Sequence, residues 1–276
     1  MEVCKVIKAG SERAYIDRRI GDSKGFTINH DRRGKVSLAA LYGQKPAQIQ
    51  DYLSSTQRIL ATEFGRAFRP YAMEQVHATI IGLEGRRDSR SSRIINKNFE
   101  ELVGKPSAMD INRVADLTSS LFAKPVAVQF GGYDSNAQYG FTSRGVHPYE
   151  RSFSIQGTTA IIMGWPICYG EDQLTLDRLR RRFLDANALH RYHTDPSVVD
   201  NDLYLVVGHV DRKEVSDDRV FAATSRAREF AAQHPIHVSI ERSDLSIVSY
   251  EETTLHPATS VAYRVPVSAD QLAALY

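Results

Sequence analysis

Apolar positions along the 276-residue chain change their spacing from stretch to stretch, and each change marks an element. VSLAALYG (36–43) is a short apolar run ending in glycine, which predicts a buried strand. In PAQIQDYLSSTQRILATEFGRAF, Ile49, Tyr52, Leu53, Ile59, Leu60 and Phe64 recur at helical spacing behind Pro46, a residue suited to a first helical turn. VHATIIGLEG (76–85) predicts another strand, MDINRVADLTSSLFA (109–123) a helix with Asp110 near its start, and VAVQFGGYD, introduced by Pro125, a strand running into a glycine-rich turn. FSIQGTTAIIMGWP (153–166) predicts a strand pair. LTLDRLRRRFLDANAL (174–189) predicts an amphipathic helix with Leu176, Leu179, Phe183 and Leu184 inward and Arg178, Arg181 and Arg182 outward, on a solvated face. Then come a strand at 202–210, a helix at 216–233, a long strand or hairpin at 236–252 and a last strand at 261–268. Residues 1–35 are polar and broken by glycine, and predict an irregular lead-in with one short strand at Phe26 to Asn29.

The order strand, helix, strand, helix, strand occurs twice, in VSLAALYG to VAVQFGGYD and again in TAIIMGWP to HVSIERSD, with equivalent elements roughly 110 to 125 residues apart. The expected fold is α/β (α+β): a single bilobal domain over 36–276, its duplicated halves at about 36–150 and 151–276, with two mainly antiparallel sheets around a central cleft. Residue identity between the halves is negligible, so the repeat lies in order and periodicity alone.

A net charge of +2 gives no whole-molecule field to draw in nucleic acid, so any basic surface must be local. The first residues hold no apolar core of signal-peptide length, and the longest mainly apolar run, Thr159 to Cys168, is too short to span a membrane. Cys4 and Cys168 form no CxxC pair. A cytoplasmic protein with no membrane association and no obligate protein partner is expected. Neither GxxxxGK[ST] nor GxGxxG occurs, which argues against a P-loop and a Rossmann dinucleotide site.

The chemistry concentrates at His77-Ala78-Thr79-Ile80. In a strand His77 and Thr79 share one face while Ala78 and Ile80 enter the other. An imidazole that passes protons near neutral pH then stands beside a hydroxyl that can donate to a phosphoryl oxygen. His237-Val238-Ser239-Ile240 repeats the pattern with serine.

On these residues the chain resembles the 2H phosphoesterases, the superfamily of RNA ligase-like and cyclic phosphodiesterase proteins, marked by two His-x-Thr/Ser-hydrophobic motifs across a pseudo-twofold cleft. The resemblance covers the order of elements from about 36 to 268. It implies a metal-independent phosphodiesterase acting on 2′,3′-cyclic or 2′–5′ phosphodiesters of RNA ends or small nucleotides, without cofactor. One histidine would act as base and the other as acid, with Thr79 and Ser239 holding phosphate oxygens. The element repeat, however, sets Asp202-Leu203-Tyr204-Leu205 opposite HATI. The second motif is therefore His237-Ser239, a relocated His190, His193 or His209, or lost at Asp202/Tyr204. In the last case the chain is a non-catalytic RNA- or nucleotide-binding protein.

Two loops add candidates. Arginines of RRDSRSSR (86–93) could lie at the cleft mouth, where the His77 strand ends. In 143–153, Arg144 and Arg151 could clamp phosphate, and Tyr149 or Phe153 could stack a base; Tyr204 joins this phosphate- or base-binding set. His190 and His193, with Asp195 behind them, have metal-ligand spacing, but histidines at a helix end also suit its terminal carbonyls, and no metal is expected.

Overall fold

The computed structural model describes residues 32–167, 174–193, 195 and 197–276. The strand expected at Phe26 to Asn29, both cysteines and all but the last four residues of the lead-in lie outside the described residues.

In chain order the elements are β1 (Val36–Ala40), α1 (Ala47–Phe64), β2 (Phe68–Pro70), β3 (Ala78–Gly82), a hairpin of β4 (Gly85–Arg87) and β5 (Ile94–Asn96), α2 (Lys97–Val103), α3 (Ile111–Ser120) and β6 (Val126–Phe130). They continue with α4 (Pro148–Ser152), β7 (Phe153–Gln156), β8 (Thr159–Pro166), α5 (Thr175–Arg181), β9 (Leu203–Val210), α6 (Asp217–Gln233), β10 (Ile236–Ile240), β11 (Leu245–Tyr250), β12 (Ser260–Arg264) and α7 (Ala269–Ala273). Polar side chains start several helices: Asp110 accepts from the Arg113 amide and Ser216 from that of Arg219. α5 stops short of the expected 189, passing into a 3₁₀ turn that ends where Asn187 turns left-handed at φ 55.

This is a mixed α+β fold, as the element pattern implies. The expected pair of sheets is instead one antiparallel sheet of ten strands, in the order β10-β6-β8-β9-β3-β1-β11-β12 with β2 beside β9 and β7 beside β8; β4 and β5 form a small separate sheet. The two halves of the path, β10-β6-β8-β9 and β3-β1-β11-β12, meet at a seam where β3 and β9 share one registered pair, Ala78 with Leu205. Elsewhere along the seam, side chains take the place of strand pairing. Arg180 of α5 donates to the carbonyls of Thr79, Ile80, Asp200 and Asp202 at 2.7 to 3.1 Å. Gln57 of α1 donates to those of Tyr71 and Val207 at 2.8 and 2.9 Å.

The halves of the sheet do not coincide with the stretches 36–150 and 151–276. β6 crosses from the first stretch into the half built around β8 and β9, and β11 and β12 return to complete the half begun by β1 and β3. β11, not β10, thus holds the place opposite β6. Nor do 236–252 form a hairpin, because the one-turn helix at Arg242–Asp244 separates β10 from β11 and the two strands join different halves.

The helices cover one face of the sheet. There Ala78, Ile80, Leu203 and Leu205, all fully buried, pack with Ile49, Leu53, Val114, Leu117, Phe183 and Ala227. Burying this face supplies the main driving force for folding. The opposite face carries two smaller apolar clusters, one per half. Leu255, in the loop after β11, packs with Tyr42, Val248 and Tyr250; Tyr133, in the loop after β6, packs with Ile161, Met163 and Trp165. The loop after β6 turns at Gly131 (φ +71), where a Cβ would stand 2.2 Å from the Ala231 carbonyl oxygen. Between the two loop-covered patches runs the seam.

Candidate functional site

Strand alternation sets the face of each seam residue. Ala78 and Ile80 are fully buried while His77 and Thr79 are half-buried on the face away from the helices. In β9 Leu203 and Leu205 are buried, and Tyr204 and Val206 are half-buried on that same open face. The Ala78–Leu205 pair therefore sets Tyr204 and Val206 across the seam from His77 and Thr79.

The His77 ring bonds the Gln75 carbonyl through Nδ1 at 2.7 Å and lies edge-on to Tyr42, 6.0 Å between centroids. A carbonyl only accepts, so Nδ1 carries the proton and Nε2 is the acceptor nitrogen. Burial lowers the His77 pKa to about 4; the Gln75 bond opposes that shift and the Lys45 charge adds to it. The imidazole is neutral at pH 7. Lys45 is itself buried, bonded to the carbonyls of Gly43 and Met73, and burial brings it down to about 7 against the pull of Glu74.

His237 and Ser239 are exposed on β10, at the far end of the sheet path. Following the pairs His237–Gln129, Gln129–Trp165 and Met163–Tyr204 shows that His237 shares the open face. Four strand spacings nonetheless separate β10 from β3, about 19 Å along the sheet. The structure does not bring the two histidines together.

His190 and His193 lie buried in an ionic network beside the seam. His190 sits 3.4 Å and His193 4.0 Å from Asp200, and His193 bonds Asp177 at 3.1 Å. His190 Nδ1 also accepts from the Gly82 amide, and burial, aided by the Arg180 charge, takes its pKa down to about 3. Burial alone would raise Asp200, yet Arg180, His190 and Arg144 together hold its carboxyl below the usual range. Among the described residues no group of three or more His, Cys, Asp or Glu side chains is arranged to hold a metal ion.

Arg144 and Arg151 belong to the same network, paired with Asp200 at 3.1 Å and Asp202 at 2.9 Å. Burial and the Asp200 charge push Asp202 up. Tyr149 packs against the Tyr133–Trp165 cluster, while Phe153 is fully buried in the main core and offers no stacking surface. In the 86–93 loop Arg86 pairs with Glu100 of α2 and Arg87 donates to the Ala273 carbonyl of α7.

A register shift between Ala160 and Ile161 returns His209 to the open face, opposite Arg69 of β2. Its Nε2 meets the Tyr71 hydroxyl at 2.9 Å. Of the sequence candidates, then, His77, Thr79 and Tyr204 meet at the seam and His209 stands further along it. Arg180 escaped the sequence reading, although it is in helical phase with the inward Leu176 and Phe183.

No family model matches the chain, and no curated protein matches it. Among solved structures, Usb1 from Kluyveromyces marxianus is similar at a TM-score of 0.36 and 11% identity, over 85% of this chain and 99% of that one. Among the described residues no helix is long and apolar enough to cross a membrane.

Proposed function

We propose that the chain holds a phosphoester at the seam, an RNA end or a small nucleotide such as a 2′,3′-cyclic or 2′–5′ species, without paired-histidine cleavage. One observation carries this reading: the Ala78–Leu205 pairing puts Tyr204 and Val206 where a second His-x-Thr would face His77 and Thr79. The Thr79 hydroxyl and the Tyr204 phenol can each donate to a phosphoryl oxygen, and His77 Nε2 can accept from a ribose hydroxyl. A phenol with a pKa near 10 carries protons poorly at pH 7, and valine carries none. No second imidazole stands at this position to complete a paired-histidine acid–base couple.

A single-histidine phosphodiesterase is the second reading, favoured by the His77 tautomer, which leaves Nε2 unprotonated as a general base requires. Calorimetric titration with uridine 2′,3′-cyclic phosphate, followed by product analysis, separates the two. Saturable binding without turnover is expected, weakened about 10- to 100-fold in His77→Ala. Cleavage that depends on His77 would replace the binding reading with the hydrolase. Failure to bind would dispose of both.

A further inference from the structure

Beside the seam a cavity of about 520 Å³ opens on the same face of the sheet. We infer that it is a nucleobase pocket suited to a guanine-type base, which deepens the phosphoester reading and rests on it by naming the nucleotide held there. Pro70, Tyr71 and Ala72 give it apolar walls, and Arg69 and Glu252 stand among its lining residues. A guanidinium only donates and a carboxylate only accepts, so the complementary ligand presents acceptors on one edge and N–H groups on another. The carboxylate also disfavours a second phosphate in the cavity. Guanine offers O6 and N7 to an arginine and the adjacent N1–H and N2–H₂ to a carboxylate. Uracil has a single ring N–H and makes fewer of these bonds.

Two features tie the cavity to His77. Gln75 lines it, and its carbonyl fixes the His77 tautomer while its amide donates to the Thr254 carbonyl. His209, also in the lining, lies three residues beyond Val206, about 10 Å along the strand. Val206 stands across from His77, so that distance is within reach of a base whose ribose hydroxyl meets His77 Nε2.

Calorimetry with guanosine 2′,3′-cyclic phosphate, uridine 2′,3′-cyclic phosphate and free guanosine tests the assignment. The guanosine ester is expected to bind at least tenfold more tightly than the uridine ester. That ratio should collapse to within about twofold in Glu252→Gln, and should persist in His77→Ala even as both esters weaken. Equal affinity for the two esters, with both weakened by His77→Ala, would overturn the pocket and leave the phosphoester site standing. Free guanosine binding as tightly as its cyclic phosphate, sensitive to Glu252→Gln and not to His77→Ala, would support the pocket and overturn the phosphoester reading. No binding of any of the three would overturn both.

Discussion

Gln57 and Arg180 hold equivalent positions in opposite halves of the sheet: each reaches from a helix into the seam and donates to the carbonyl two residues beyond the Ala78–Leu205 pair, Val207 for Gln57 and Ile80 for Arg180. Each also bonds the segment across the gap, at Tyr71 just past β2 and at Asp200 ahead of β9 respectively. Two helix side chains thus bridge the seam on either side of its single registered β3–β9 pair.

Arg180 is the more consequential of the two, because it also lies 3.3 Å from the Asp200 carboxylate and both groups are buried. Arg180→Met should cost about 3 to 5 kcal/mol, since it strands a buried charge and removes the donor from four carbonyls. Urea unfolding measures this. A loss below about 1 kcal/mol would mean that water fills the seam without penalty.

Tyr204→His combined with Val206→Thr would rebuild a second motif opposite the first. If the seam already positions a phosphoester, this double variant should cleave a 2′,3′-cyclic nucleotide at least about 100-fold faster than the parent chain. The gain should vanish when His77→Ala is added. No gain in a folded double variant would show that the two strands do not present their side chains to a common phosphate.

His237→Ala tests the distance argument. With four strand spacings between β10 and β3, cyclic nucleotide affinity should stay within about twofold of the parent. A tenfold loss would place the edge strand in the ligand site.

Acid should weaken the fold, and the sign follows from two neutral histidines. His77 and His190 titrate near 4 and near 3 in the folded chain, against about 6.5 when unfolded. Between those values the unfolded chain binds protons that the folded one does not, so stability falls as pH drops below about 6.5. The lowered Asp177 and Asp200 extend the loss at lower pH, while Asp202, pushed up, opposes it over its own shift. Tm should be lower at pH 5.0 than at pH 7.5. An unchanged Tm across that range would contradict neutral burial of both rings.

Much of this arrangement could be read along the chain. Alternation at Ala78 and Ile80 put His77 and Thr79 on one face, and the order of elements pointed to Tyr204 opposite them. Period two reports which face a side chain takes and not which strand neighbours which, so His237 matched the pattern while standing on an edge strand. The same limit hid the separation of β10 from β11, where the Asp244 carbonyl is taken by the Leu41 amide from a distant part of the chain. Arg180 was hidden by its chemistry. A charged residue at an inward helical position is read as solvent-facing unless the carbonyls waiting for it are already known.

The exchange of β6 for β11 and β12 makes the two lobes mutually dependent, like clasped hands. Neither lobe is complete in a continuous stretch of chain, so a fragment ending near residue 150 would lack the outer strands of its own lobe while carrying one that belongs to the other. The lobes should accordingly melt together in a single transition, with fragments regaining order only when mixed.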